Sequence, residues 1–348
     1  MKALRYMGPY SLRLADVPMP ELPADGCLVR IRACGICGSD VHGYTGKTGR
    51  RIAPMTMGHE FSGEIVQVGP EVKRFSVGDA VIPQPIQFCG KCRNCRRGLT
   101  MLCQDKKFFG VMDVDGAFAE YLSIPERYLY KKPDGVTYPE AAMAEPYAVA
   151  YGAVKKAGDL QDKRVLIVGA GTIGLCVLQL VLAQKPELVV VSDLSDARLA
   201  TAKALGANEI RNPGKCDFLA EIGELTGGEM MDVSFEAVGV QPTANQSVAA
   251  LTEMGTAVWI GNNAPTITIN MQEIVTKAKR VLGTYTYTHQ EFGELIELMG
   301  SGALNPDRLI SRIVPLEQAA ECFDALLNHP DDYIKIIVDP SEKEGENQ

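Results

Sequence analysis

The chain has 348 residues, 46% of them hydrophobic, a length at which two domains are expected rather than one core. Its 43 acidic and 35 basic side chains leave a formal charge of −8, which would repel nucleic acid or an acidic membrane face and points to small-molecule partners. No run is long and apolar enough to span a bilayer, Met1 to Pro20 lacks the basic flank and apolar stretch of an export signal, and four of the ten cysteines crowd into one segment, so metal binding in a reducing cytoplasm is expected rather than disulfide stapling.

Short β-rich runs at Leu28 to Arg32, Phe61 to Val68 and Ala80 to Ile82, separated by Gly, Pro and charged residues, predict a mainly β unit over residues 1 to about 147. Between the first two runs, Gly35-Ile-Cys37-Gly-Ser39-Asp40-Val-His42 joins thiol, hydroxyl, carboxylate and imidazole, and Gly58-His59-Glu60 adds another pair of possible metal ligands. Taken singly these are modest signals, because a lone cysteine is usually a small core residue and a lone histidine a satisfied polar group. Cys34 forms a CxxC with Cys37, which suggests redox chemistry or, more simply, a buried neighbour.

Cys89, Cys92, Cys95 and Cys103 follow the pattern C-x2-C-x2-C-x7-C in a loop rich in Lys, Arg, Asn and Gly. Four thiolates this close in sequence can close a tetrahedral zinc site with no open position, the structural kind. An iron–sulfur cluster fits less well, since the ferredoxin run ends C-x3-C-P and here Gln104 follows the last cysteine. Chance clustering and disulfides are the remaining alternatives.

Glu140 to Ala157, rich in Ala and other helix formers, predicts a helix leading out of the β unit. Strand-like runs follow at Arg164–Val168, Leu188–Val191, Asp232–Phe235, Thr256–Ile260 and Arg280–Leu282, with a weaker one near Glu209. With helical patterns between them they predict an α/β, doubly wound, parallel six-stranded sheet. The first of these strands runs directly into Gly169-Ala-Gly171-Thr172-Ile173-Gly174 and an apolar helix, Leu175 to Ala183. In that setting Gly169 permits the tight turn, Gly171 lets a pyrophosphate approach the backbone, and Gly174 lets the helix pack on the sheet, while the helix N-terminus favours the phosphates. Asp193 ends the second strand about twenty residues on, where a carboxylate accepts both ribose hydroxyls and repels a 2′-phosphate, so NAD is expected over NADP. The plainer reading is a tight turn with Asp193 capping the helix that begins near Ser195, and Arg198 could meet a 2′-phosphate. Beyond Thr288, a helix at Glu291–Met299, a helical segment around Leu316–Leu327 and a strand at Tyr333–Val338 fall outside the six-strand count and are expected to return to the first unit. The polar end, Glu342 to Gln348, is expected to fray.

Through Gly35–His42, Gly58–Gly63, Cys89–Cys103, Glu145-Pro146, Gly169–Gly174 and Asp193, the chain resembles the zinc-dependent medium-chain dehydrogenases, and among them the polyol (sorbitol-type) branch. The match is collinear over nearly the whole length. The resemblance implies a GroES-like mainly β catalytic domain from 1–147 and 289–348, a Rossmann NAD-binding domain from 148–288, and an active site in the cleft between. It further implies that Cys37, His59 and Glu145 ligate a catalytic zinc, with Glu60 as the adjacent carboxylate. Asp40 would then fix the His59 tautomer, and Ser39 and His42 would relay the alcohol proton. Two Zn²⁺ per chain, one catalytic and one structural, NAD as cofactor and a homodimer or homotetramer follow by the same analogy. Zinc lowers a bound hydroxyl's pKa from about 16 toward about 7, worth about 12 kcal/mol, more than a lone general base supplies. Tyr44, Lys47, Arg50 and Arg51 lie where family members often build part of the substrate pocket. The arginines there could hold a phosphate or carboxylate, or the segment could be a solvated loop. Candidate substrates are a polyol, a polyol phosphate such as galactitol 1-phosphate, or a sugar acid. The alternatives are a zinc-free NADPH-dependent quinone or enoyl reductase, and a non-catalytic nucleotide-binding relative.

Overall fold

In a computed structural model, which describes residues 1–112 and 114–341, the chain divides into two units, Met1–Glu145 with the chain from Thr288 on, and Pro146–Tyr287. The end from Glu342 lies outside the described residues.

The first unit is organised around the strand Gly26–Gly35, whose side chains are almost all buried. It pairs antiparallel with Glu60–Val68, with Tyr121–Pro125 and with the late strand Lys335–Asp339, which itself pairs parallel with Ile310–Pro315. The core between sheet and helices includes Leu4, Val29, Ile31, Phe61, Ile65, Tyr128, Phe323, Ile336 and Val338. Burial of such side chains contributes about 1.5–3 kcal/mol each before conformational entropy is counted, and this is what holds the C-terminal segment onto the N-terminal sheet.

Register in this sheet positions chemistry. Gly35 faces Glu60 across one ladder and Ile337 across the other, so the chain just past Gly35, the start of Glu60–Val68 and the start of Lys335–Asp339 meet at one end. A side chain at Gly35 would overlap the Glu60 carboxylate, which explains the glycine there. Gly58 has φ +97°, the left-handed region, and a Cβ on it would lie 2.7 Å from the Cys34 sulfur, so the turn presenting His59 is one only glycine makes without strain.

The second unit carries the expected six parallel strands, Arg164–Val168, Leu188–Ser192, Glu209–Arg211, Met231–Glu236, Leu251–Trp259 and Arg280–Gly283. Their spatial order begins at Glu209–Arg211, runs inward through the second and first strands, then outward through the fourth, fifth and sixth. That reversal beside Arg164–Val168 is the switch point of a doubly wound sheet. One expected element differs: the helix predicted over Glu140–Ala157 is two, Tyr138–Ala142 and Ala144–Ala157. Pro146 has no N–H to continue the ladder across the break, yet is tolerated in the first turn of the second helix. None of the described helices is long and apolar enough to cross a membrane.

Candidate active site and metal centres

Cys37 caps the short helix Gly38–Tyr44. Its sulfur accepts the Ser39 N–H at 3.5 Å, and the Asp40 carboxylate accepts the Cys37 N–H at 3.3 Å, a reciprocal capping box. The Cys37 sulfur, a His59 ring nitrogen and a Glu60 carboxylate oxygen all lie within 4.8 Å of one another. Tetrahedral ligation needs separations of about 3.4–3.8 Å, so a small contraction would let one ion reach all three. Thiolate, imidazole and carboxylate together are a donor set that zinc accepts.

Two buried cations brace this set. Lys335 Nζ donates to Glu60 Oε2 at 2.6 Å and to the Ile36 carbonyl at 3.0 Å, with Lys335 and Glu60 side chains each 2% exposed. Arg51 Nη2 donates to Asp40 Oδ1 at 2.7 Å, the oxygen that stands 3.4 Å from His59 Nδ1. Burial alone would raise the Asp40 carboxyl, but the charges and hydrogen bonds of His59 and Arg51 outweigh it and hold the group well below the usual carboxylate range. Asp40 is thus an anion at any physiological pH, facing Nδ1 of His59 and favouring presentation of the other ring nitrogen to a metal. Burial works against positive charge on His59, yet Asp40 and Cys37 overcome it, so the pocket attracts a cation at the imidazole.

Ser39 and His42 are exposed on the same short helix, three residues apart and so on one face. Glu145 is buried in the first turn of Ala144–Ala157. Cys34 is fully buried, and burial, reinforced by the Asp40 and Glu60 charges, pushes its thiol well up, which makes it the inert neighbour rather than a redox partner of Cys37.

The segment expected to line a substrate pocket is divided. Tyr44 turns inward and donates to Asp324 at 3.0 Å, Arg51 is committed to Asp40, and only Lys47 and Arg50 are exposed. The pair of arginines does not form a two-pronged anion clamp. Sequence reading also missed Lys335, whose only local signal was a lysine in an otherwise apolar strand.

In the lobe, Cys89, Cys92, Cys95 and Cys103 offer four sulfurs mutually within 4.8 Å, with Cys89 to Cys95 at 4.0 Å and Cys92 to Cys95 at 3.5 Å. A tetrahedron with Zn–S bonds of about 2.3 Å has edges of about 3.8 Å, between those two values. Backbone N–H groups of Cys95 and Gln104 push the Cys92 thiol down, while burial and the hydrogen bond to Cys92 push its neighbour Cys95 up. The Cys92 N–H donates to the Cys89 sulfur and the Cys89 N–H to the Cys103 sulfur, each at 3.3 Å.

At the glycine-rich turn, Gly169 has φ +101°, and a Cβ at Gly174 would overlap the Gly169 carbonyl oxygen. Gly171 is the N-cap of Thr172–Leu182 and supplies no side-chain cap, and a Cβ on it would meet open space. Thr172 and Ile173, in the helix's first turn, are half-buried. Asp193 Oδ2 accepts the Ala170 N–H at 2.7 Å and Oδ1 the Ser195 N–H at 2.8 Å, so the carboxylate braces both the turn and the next helix, where Ser195 accepts from the Arg198 N–H at 3.5 Å. Gly174→Ala is expected to push the turn apart and weaken binding of the reduced nicotinamide dinucleotide by about tenfold or more in a fluorescence titration; an unchanged affinity would separate the turn from nucleotide binding.

Residues 23–134 match the alcohol dehydrogenase GroES-like domain and residues 172–301 the zinc-binding dehydrogenase family. Sorbitol dehydrogenase of Bacillus subtilis (strain 168) is 31% identical over 345 residues, 98% of each chain. Galactitol-1-phosphate dehydrogenase from Escherichia coli superposes with a TM-score of 0.91 at 28% identity, over 98% of this chain and 100% of that one. A zinc-binding dehydrogenase from Sinorhizobium meliloti 1021, solved bound to NADP, has a TM-score of 0.90 at 30% identity, over 97% and 99%.

Proposed function

This chain belongs to the polyol branch of the zinc-dependent medium-chain dehydrogenase/reductase family and is an oxidoreductase; from that premise we propose that it oxidises a secondary alcohol of a polyol to a ketone, with NAD as the acceptor. The convergence of Cys37, His59 and Glu60 at one end of the sheet carries the proposal. In this reading Cys37 and His59 hold a catalytic zinc with Glu60 beside them, the family resemblance adds Glu145 as a third ligand although its carboxylate is not among the ligand atoms that lie within 4.8 Å of one another, and Cys89, Cys92, Cys95 and Cys103 hold a structural zinc. Bound there, zinc supplies the Lewis acidity that lowers the substrate hydroxyl's proton affinity, and the nicotinamide supplies the hydride acceptor. Asp40 keeps His59 in the ligating orientation, Ser39 Oγ takes the proton released from the alcohol, and His42 passes it to solvent.

Support for NAD comes from lone-pair bookkeeping at Asp193. An ionised carboxylate offers about four acceptor sites. Two are used by Ala170 and Ser195, which leaves two for the ribose hydroxyls and a negative charge where a 2′-phosphate would sit. Support for a neutral polyol, ahead of a polyol phosphate or sugar acid, comes from the inward commitment of Arg51, which removes the arginine pair that the Tyr44–Arg51 segment could have offered an anion. The test is a screen of polyols, their phosphates and sugar acids, following nicotinamide reduction with NAD and with NADP. Neutral polyols with NAD are expected to exceed each other combination by about tenfold or more in kcat/KM. Absence of alcohol oxidation with either nucleotide, or activity undiminished in metal-free protein, would overturn the reading.

A further inference from the structure

One guanidinium nitrogen joins the two halves of the proposed chemistry. Arg51 Nη2 donates both to Asp40 Oδ1 at 2.7 Å and to Ser39 Oγ at 3.3 Å, and the Arg51 side chain is only 3% exposed. Asp40 Oδ1 in turn faces His59 Nδ1, while Asp40 Oδ2 accepts the Cys37 N–H. Hydrogen bonds therefore run from the serine, through one arginine and one carboxylate, to the Cys37 N–H, and the same carboxylate stands 3.4 Å from His59 Nδ1. Nothing nearby in sequence supplies a substitute, because Arg50 points to solvent.

The arginine is itself held in place. Its backbone forms a β-bridge with Met112, flanked by the Ile52 N–H donating to the Met112 carbonyl at 3.1 Å and the Met112 N–H donating to the Arg50 carbonyl at 2.8 Å. Its aliphatic stem lies against Gly43, where an added Cβ would stand 2.5 Å from Arg51 Cγ. The glycine in that helix is the space through which the guanidinium reaches Asp40.

We infer that Arg51 is a positioning residue for the oxidation, setting the Ser39 hydroxyl and, through Asp40, the His59 imidazole with one rigid fork. Because the guanidinium donates into Ser39 Oγ, one lone pair is taken and the hydroxyl hydrogen turns away from Arg51, leaving the remaining lone pair to receive the substrate proton. A lysine keeps the charge beside Asp40 but lacks the planar fork, so it serves Asp40 and loses the serine. This inference rests on the zinc-dehydrogenase reading above.

The test uses the full-length zinc-loaded protein and three variants, Arg51→Met, Arg51→Lys and Gly43→Ala. The readouts are KM and kcat for the best polyol of the screen and the rate at which each zinc is lost to a chelator. Removing a partner behind a ligand typically costs about 10–100-fold in metal affinity or activity. Arg51→Met is expected to lose the Cys37–His59 zinc about tenfold faster or more, with the lobe zinc unaffected, and to lower kcat by about tenfold or more with KM within about threefold. Arg51→Lys is expected to restore zinc retention while kcat stays depressed, and Gly43→Ala to behave as a milder Arg51→Met. Should Arg51→Met fail to fold, the split between metal retention and kcat in Arg51→Lys decides. Wild-type zinc retention and wild-type kcat in Arg51→Met, or in both other variants, would overturn the assignment. If the wild-type protein holds no zinc outside the lobe, the underlying reading falls instead, and the two failures are told apart before any variant is made.

Discussion

In the metal-free protein, replacing Lys335 by methionine is expected to destabilise the first unit by about 3–5 kcal/mol, because it leaves the Glu60 carboxylate buried without its cation. The two side chains meet at 2.6 Å with 2% of each exposed, and Lys335 enters the sheet from the strand Lys335–Asp339, which pairs with Gly26–Gly35. The effect belongs to the unpaired charge rather than to the pair itself. Lys335→Met combined with Glu60→Gln is therefore expected to recover most of the loss, since an amide in the same place carries no charge to desolvate. Urea unfolding of the wild type, both single variants and the double variant gives the coupling directly. A Lys335→Met midpoint close to that of the wild type, or a double variant no better than Lys335→Met, would mean that the ammonium does not stabilise the carboxylate.

Replacing His59 by alanine is expected to remove one zinc per chain and lower kcat/KM by about a thousandfold or more, since several kcal/mol of charge stabilisation at the reacting oxygen go with the ion. A metal bound by the four sulfurs of Cys89, Cys92, Cys95 and Cys103, which cluster elsewhere in the unit, is expected to remain. Metal analysis and kinetics on the same preparation read both effects. A His59→Ala protein that keeps both zincs, or keeps its activity with one, would remove the imidazole from the proposed ligand set.

The parts of this molecule legible in the sequence are those whose signals are local. The Gly169–Gly174 turn sits between its own strand and helix, the lobe cysteines are spaced within one loop, and the central strands Arg164–Val168 and Leu188–Ser192 are near-continuous apolar runs, as burial on both faces requires. Cys37, His59 and Glu60 were visible as motifs, and the antiparallel register that joins Gly35 to Glu60 brings them together.

What was not legible depends on partners distant along the chain. Lys335 reads as an interruption in a strand until its carboxylate, 275 residues away, is placed beside it. Arg51 reads as half of a surface arginine pair until Asp40 draws it inside. The strands Lys2–Gly8 and Ile310–Pro315 are amphipathic and partly exposed, and escaped a search for apolar runs. The split in the helix at Met143 turns on a single proline whose effect depends on which turn it occupies.

The central claim is that one metal ion is shared by Cys37 and His59. Anomalous diffraction at the zinc edge from crystals of the full chain tests it most directly. Two peaks are expected, one among the sulfurs of Cys89, Cys92, Cys95 and Cys103, the other about 2.0–2.4 Å from both the Cys37 sulfur and a His59 nitrogen. A crystal of active enzyme with metal in the lobe alone would contradict it.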